Sequence, residues 1–187
     1  MTAAEAIQTV TAFDPADDGL ADKSRELVLG MLHDTPSPFS REQFTPGHIT
    51  CTALVLHPSQ PSVLVMHHHR LKRWLLPGGH VELDDISLPA SAAREAHEET
   101  GVALDVVPDN AAPPALVGID VHGIPARETE PFHLHHDLIW CFRALSEQIS
   151  ISDEAPQVRW AAPEEWRQLG LALSIQRSIL RATGVRP

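Results

Sequence analysis

With 187 residues, 43% of them apolar, the chain can bury one substantial core; 25 acidic against 14 basic side chains leave a formal charge of −11 at pH 7. That balance speaks against a nucleic-acid duplex as partner, because the surface as a whole repels a phosphate backbone. No stretch reaches the roughly 18 to 20 consecutive apolar residues a membrane span requires, and the start lacks a basic region followed by an apolar one, so a cytoplasmic protein without a membrane partner is expected.

Residues 1–47 read as an N-terminal extension: an acidic, Ala-rich start, a helix near Asp22 to His33, and a loop with prolines at Pro36, Pro38 and Pro46. The main domain is expected over residues 48–187. From Ile49 the apolar runs become short. Ile49 to Leu56 and Ser62 to Met66 predict two neighbouring strands, separated by the turn signal His57 to Pro61. Arg73 to Glu82 is expected to run as a strand into the Gly78-Gly79 turn. A helix is predicted from Leu88 to Thr100, closed by Gly101 as its left-handed residue. Further strands are expected at Leu116 to Ile124, His133 to Leu145 and Ala155 to Ala161, with helical material from Pro163 onward. Strands on both sides of one central helix predict a mixed α/β (α+β) sandwich rather than a regular parallel sheet. Cys51 and Cys141 lie in separate apolar segments without metal-ligand spacing, and read as buried free thiols.

The helix carries the chemistry. Glu95, Glu98 and Glu99 stand at i, i+3 and i+4, so three carboxylates crowd one face, while Ala92, Ala93 and Ala96 offer a small-residue face to a sheet. Such crowding is unfavourable unless a cation sits there, and a hard divalent ion, Mg²⁺ or Mn²⁺, prefers oxygen ligands of this kind. A solvated acidic face paired with Arg94 is the alternative.

The histidines are the second concentration. In an extended strand His133, His135 and Asp137 point to one face, and Leu134, His136, Leu138 and Trp140 to the other. The first set either contacts phosphate or a metal, or forms a solvated polar face. His67, His68 and His69 read as a strand end emerging into solvent. Arg70, Lys72 and Arg73 form the main local basic cluster, Asp120 and His122 alternate on another strand, and His80 adjoins the glycine turn. Trp74 and Trp140 read as core aromatics or as platforms for a base.

Around the carboxylate helix, Leu75 to Glu82, then Asp84 and Asp85, then Ala92 to Val102, resemble the signature of the Nudix hydrolase superfamily. Gly79, Arg94, Glu95, Glu98, Glu99, Gly101 and Val102 match by type. The chain departs from the pattern in having one extra residue between Gly79 and Arg94, and in carrying Asp85 rather than Glu at the spaced acidic position. Arg94 to Val102 keeps the regular spacing. A subgroup likeness adds to this: Gly-Gly-His at Gly78 to His80, Asp120 to Pro125, and His133 to Asp137 resemble a bacterial Nudix branch.

The resemblance implies a Nudix-like α/β/α sandwich with a mixed central sheet. It also implies a divalent-metal-dependent hydrolase that cleaves the diphosphate linkage of a nucleoside diphosphate-linked compound or a nucleoside triphosphate. It would make Glu95, Glu98 and Glu99 the metal ligands, with a carbonyl of the turn at Gly79 as a further one. Glu98 or Glu99 would be the general base, Glu154 the second candidate, and Arg94 would orient the carboxylates. A small phosphorylated substrate would then meet His133, His135 and Asp137, with Arg70 and Arg73 either contacting its phosphate or forming plain surface charge, and His80 either touching it or fixing the glycine turn. The rival is a silent domain of the same fold that binds a nucleotide or sugar-nucleotide as a sensor. A homodimer is left open.

Overall fold

The computed structural model describes residues 1–104 and 114–184. Its architecture follows from alternation along strand β1 (Gly47–Leu56). Ile49, Cys51, Ala53 and Val55 enter one apolar cluster and Leu54 a second, as expected of a strand buried on both faces. The strands β2 (Val63–His67), β3 (Trp74–Leu75), β4 (Gly78–His80), β5 (Ala115–Ile124), β6 (His133–Arg143) and β7 (Gln157–Ala161) complete one sheet. Its order is β3-β2-β1-β6-β5, with β4 paired to β1 and β7 to β2. The β1–β6 pair is parallel and the other pairs are antiparallel, so the sheet is mixed.

The helices α1 (Ala3–Ala12), α2 (Gly19–Asp34) and α3 (Leu88–Thr100) pack on the first cluster through Val10, Val28, Met31, Ala92 and Ala96. The last helix, α4 (Leu173–Thr183), covers the second through Ile175 and Ile179. This is the expected α/β/α sandwich. Residues 1–34 share one core with the sheet, and Asp18 ties both ends of the chain together: its carboxylate accepts from Arg177 at 2.5 Å and Arg181 at 2.8 Å.

Two local expectations need correction. The first helix near Asp22 begins earlier, at Gly19, because Asp18 caps it by accepting from the Leu20 and Ala21 amides, and α1 precedes it, opened by a Thr2–Glu5 capping box. The single strand expected from Arg73 through the glycines is instead two pieces, β3 and β4. Pro77 has no N–H to continue a ladder, and its carbonyl accepts from Ala53 as the chain crosses from pairing with β2 to pairing with β1. The edge of β1 is thereby divided: its C-terminal end holds β2 at Leu56, and its N-terminal half holds β4 from Thr50 to Thr52. The glycine turn comes to lie beside α3 through this division.

Candidate active site

Helix α3 starts where Ser87 accepts from the Ala90 amide with Pro89 in the first turn, and ends at Gly101 in the left-handed region at φ 64°. Between these caps its alanine face lies on β1, and the carboxylates emerge beside β4. The two glycines there are required by closeness. A Cβ at Gly79 would stand 2.6 Å from the Glu95 carboxyl, and one at Gly78 would stand 2.7 Å from the Cys51 carbonyl.

Arg94 organises the acids. Its Nε and Nη2 donate to the two oxygens of Asp85, both at 3.0 Å, and Nη2 also donates to the His80 carbonyl at 2.9 Å. Nη1 donates to Glu95 and to Glu98, each at 3.1 Å. The two-point geometry assigns the Arg94 partnership to Asp85 rather than Asp84. The extra residue is taken up in the loop from Val81 to Ser87, where Glu82 and Asp85 close a small turn, and α3 keeps its register.

Glu99 is buried, and its carboxylate accepts from the Gly78 amide at 2.9 Å. Burial, with Glu95, Glu154 and Glu98 nearby, pushes its carboxyl up to about 8 against the pull of that amide. Burial also raises Glu95, opposed by Arg94. Glu98 is largely exposed. Glu154, on an exposed loop, acts electrostatically on both Glu95 and Glu99. The His69 amide anchors that loop by donating to the Glu154 carbonyl at 2.9 Å. Asp85, Glu95 and Glu98 are thus gathered around one guanidinium, and Glu99 and Glu154 add their charge beside Glu95.

The histidines occupy the opposite sheet face. His80 alternates with Gly79, and register places Thr50 beside both His80 and Asp137, and His48 beside His135. His122 and Asp120 extend this face on β5. It is not a solvated face: His48, Thr50, His133 and Asp137 are buried. The His135 ring lies 4.9 to 5.6 Å from the rings of His48, His80, His122 and His133. Burial and these neighbours hold His135 down to about 2 and His80 to about 4, so both rings are neutral. His122 is the exception, raised by the hydrogen bond of its Nδ1 to Asp120 at 3.0 Å. Both oxygens of Asp137 are engaged by hydroxyls, Thr50 at 3.0 Å and Thr52 at 2.8 Å, and burial raises its pKa.

The remaining candidates are dispersed. Arg70 and Arg73 are exposed on the β2–β3 turn, where the Arg73 carbonyl accepts from His68, and Arg73 lowers the pKa of His122. His68 stabilises this turn as an acceptor for the Arg70 amide at 3.1 Å, while His69 is exposed. Trp140 is core and Trp74 half-buried, edge-on to His67. Cys51 is buried and Cys141 half-buried, both free, with burial raising both thiols. Sequence reasoning missed His48, Thr50 and Thr52. His48 shares the odd-even register of Thr50 and Thr52, but its place among the histidines depends on a parallel pairing with a strand 87 residues away in the Thr50–Asp137 bond.

Among the described residues no helix is long and apolar enough to cross a membrane. The chain matches the model of the NUDIX domain over residues 47–182. No curated protein sequence matches it. Solved structures of similar fold include the NUDIX domain of Shewanella oneidensis NrtR complexed with ADP ribose. That match has 22% identity and a TM-score of 0.52, and covers 83% of this chain and 96% of that one. A C. elegans Ap4A hydrolase binary complex is 13% identical with a TM-score of 0.51, covering 73% and 95%. A NUDIX hydrolase from Nitrosomonas europaea is 17% identical with a TM-score of 0.51, covering 73% and 88%. With the domain matched over most of its length and the glycine turn seated against the glutamate helix, this chain belongs to the NUDIX family.

Proposed function

We propose that this Nudix-type pyrophosphohydrolase is divalent-metal-dependent and cleaves the diphosphate linkage of a nucleoside diphosphate-linked compound or a nucleoside triphosphate. The observation that carries the reading is the electrostatic state of α3. Glu95, Glu98 and Asp85 share the single guanidinium of Arg94, and Glu99 is buried with its carboxyl pushed up to about 8. An all-oxygen donor set short of positive charge fits Mg²⁺ or Mn²⁺, and Glu95, Glu98 and Glu99 would hold it, with Gly79 close by through its contact with Glu95. Bound there, the ion supplies positive charge for the diphosphate oxygens and lowers the pKa of water.

The chain's own residues do the rest. Arg94 fixes the orientation of Glu95 and Glu98 and is itself fixed by Asp85. Glu98 and Glu154 are the carboxylates with solvent access, so each can accept a proton from attacking water, whereas Glu99 is committed to the Gly78 amide. Arg70 and Arg73 supply charge for the outgoing phosphate. His80, whose carbonyl accepts from Arg94, connects the glutamates to the opposite sheet face, where His133, His135 and Asp137 would meet a distal part of the substrate.

The test is monophosphate release from a panel containing ADP-ribose, Ap4A and nucleoside triphosphates, with Mg²⁺ or Mn²⁺, for native protein, Glu98→Gln, Glu99→Gln and Glu154→Gln. Metal-dependent turnover is expected, lost in Glu99→Gln, and the base is whichever of Glu98 and Glu154 removes the acidic limb of the rate profile when changed. Saturable binding of one panel member without turnover, unaffected by the variants, overturns the proposal in favour of a sensor.

A further inference from the structure

We infer that His48, His133 and His135 form a second metal site, selective for a borderline transition ion such as Zn²⁺ or Co²⁺, on the sheet face opposite the glutamate helix. One ligand atom from each lies within 4.8 Å of the others, and this is the only such trio of His, Cys, Asp or Glu among the described residues.

Hydrogen bonding gives the geometry its chemistry. His48 Nδ1 lies 3.0 Å from the Gln43 carbonyl, and His133 Nδ1 lies 2.9 Å from the Pro131 carbonyl. A carbonyl only accepts, so in both rings Nδ1 carries a proton, which leaves Nε2 as the nitrogen that can ligate. Fixing one ring nitrogen on a backbone carbonyl so that the other can ligate is the usual outer-shell arrangement of metal-binding histidine. The second observation is an unmet demand. His48 is 1% exposed, yet its Nε2 has no hydrogen-bond partner. A buried ring nitrogen left this way costs free energy that a metal ion would recover.

His135 supplies the third ring, in ring contact with both others. Its strand neighbour His133 is buried, and Phe44 packs edge-on to His133 with ring centroids 5.1 Å apart. Three imidazole nitrogens suit Zn²⁺ or Co²⁺ and not Mg²⁺, and three protein ligands leave a fourth position for water or a ligand. Ligation needs nitrogens about 2.0 to 2.1 Å from the ion, so the rings close up by side-chain rotation when it binds. The site does not depend on the hydrolase reading, since it uses none of the glutamates.

The test is titration of the full metal-free chain with Co²⁺ alone, followed by visible absorption and calorimetry, in native protein, His48→Gln, His135→Gln and Glu99→Gln. One equivalent with the intense d–d bands of a four-coordinate nitrogen site is expected, weakened at least tenfold in both histidine variants and unchanged in Glu99→Gln. Circular dichroism and melting identify a variant that fails to fold. In that case X-ray absorption on the native Zn²⁺ protein decides, with three imidazole nitrogens expected in the first shell. An oxygen-only shell, binding lost in Glu99→Gln but kept in the histidine variants, or no binding at micromolar Co²⁺ overturns the inference.

Discussion

Glu99 shows how one residue can report on the whole site. Its carboxyl is held at about 8 in the folded chain against 4.5 unfolded, chiefly by burial. A raised acid contributes stability that is complete below the unfolded value and is lost as pH rises through the folded one. The melting temperature of metal-free native protein, minus that of Glu99→Gln, should therefore fall as pH rises from about 4.5 to about 8. Groups that behave alike in the two proteins drop out of the difference. Saturating Mg²⁺ should abolish the fall, because the ion stabilises the ionised form. A difference that stays flat with pH in the metal-free proteins would mean that Glu99 is not held protonated. At this scale the sequence was informative where spacing alone sets geometry. Glu95, Glu98 and Glu99 share a helix face by periodicity, but nothing local reveals that Glu99 is buried against Gly78 while Glu98 stays in solvent.

Helix α3 was readable from residue to residue because its signals are local. Ser87 precedes it, Pro89 sits in its first turn, and Gly101 closes it in the left-handed region, so its boundaries at Leu88 and Thr100 coincide with expectation. Replacing the cap by Ser87→Ala should cost about 1 kcal/mol, measured as a shift of the urea midpoint at unchanged slope. An unchanged midpoint would show that tertiary contacts, not the cap, define this helix start. The strands were legible as apolar runs, while their partners were not. Division of the β1 edge between β2 and β4 depends on Pro77, and the parallel β1–β6 pair joins His48 to His135. Helix α1 escaped notice because its buried positions, Ala6 and Val10, make a sparse apolar stripe in an acidic, Ala-rich stretch. The histidine face was half visible. Alternation within β6 set His133, His135 and Asp137 together, but a cluster of rings needs β1 and β5 beside β6 and β4 beside β1, which is a property of topology.

Across the whole molecule, the two ends of the chain meet at Asp18. It caps α2 and accepts from Arg177 and Arg181 of α4, so helices on opposite faces of the sheet are joined around the β5 edge. Asp18→Ala removes a cap and leaves two guanidinium groups without their partner, and should cost on the order of 2 kcal/mol. Its hydrogen bonds hold the Asp18 carboxyl below 3.8, outweighing burial. A depressed acid contributes stability above the unfolded value and loses it as pH falls through the folded one. The gap between native and variant melting temperatures should therefore close below about pH 4. A gap persisting there would assign the loss to packing and not to charge.

We propose that the glutamate helix and a divalent ion together direct water onto a phosphoanhydride. Turnover of the best panel substrate in ¹⁸O-labelled water, titrated with Mg²⁺ or Mn²⁺, tests it in native protein against Glu99→Gln. Saturable metal dependence, one ¹⁸O in a phosphoryl product and at least a hundredfold lower rate in the variant are expected. Turnover that is independent of added metal, or equal in the two proteins, would contradict it.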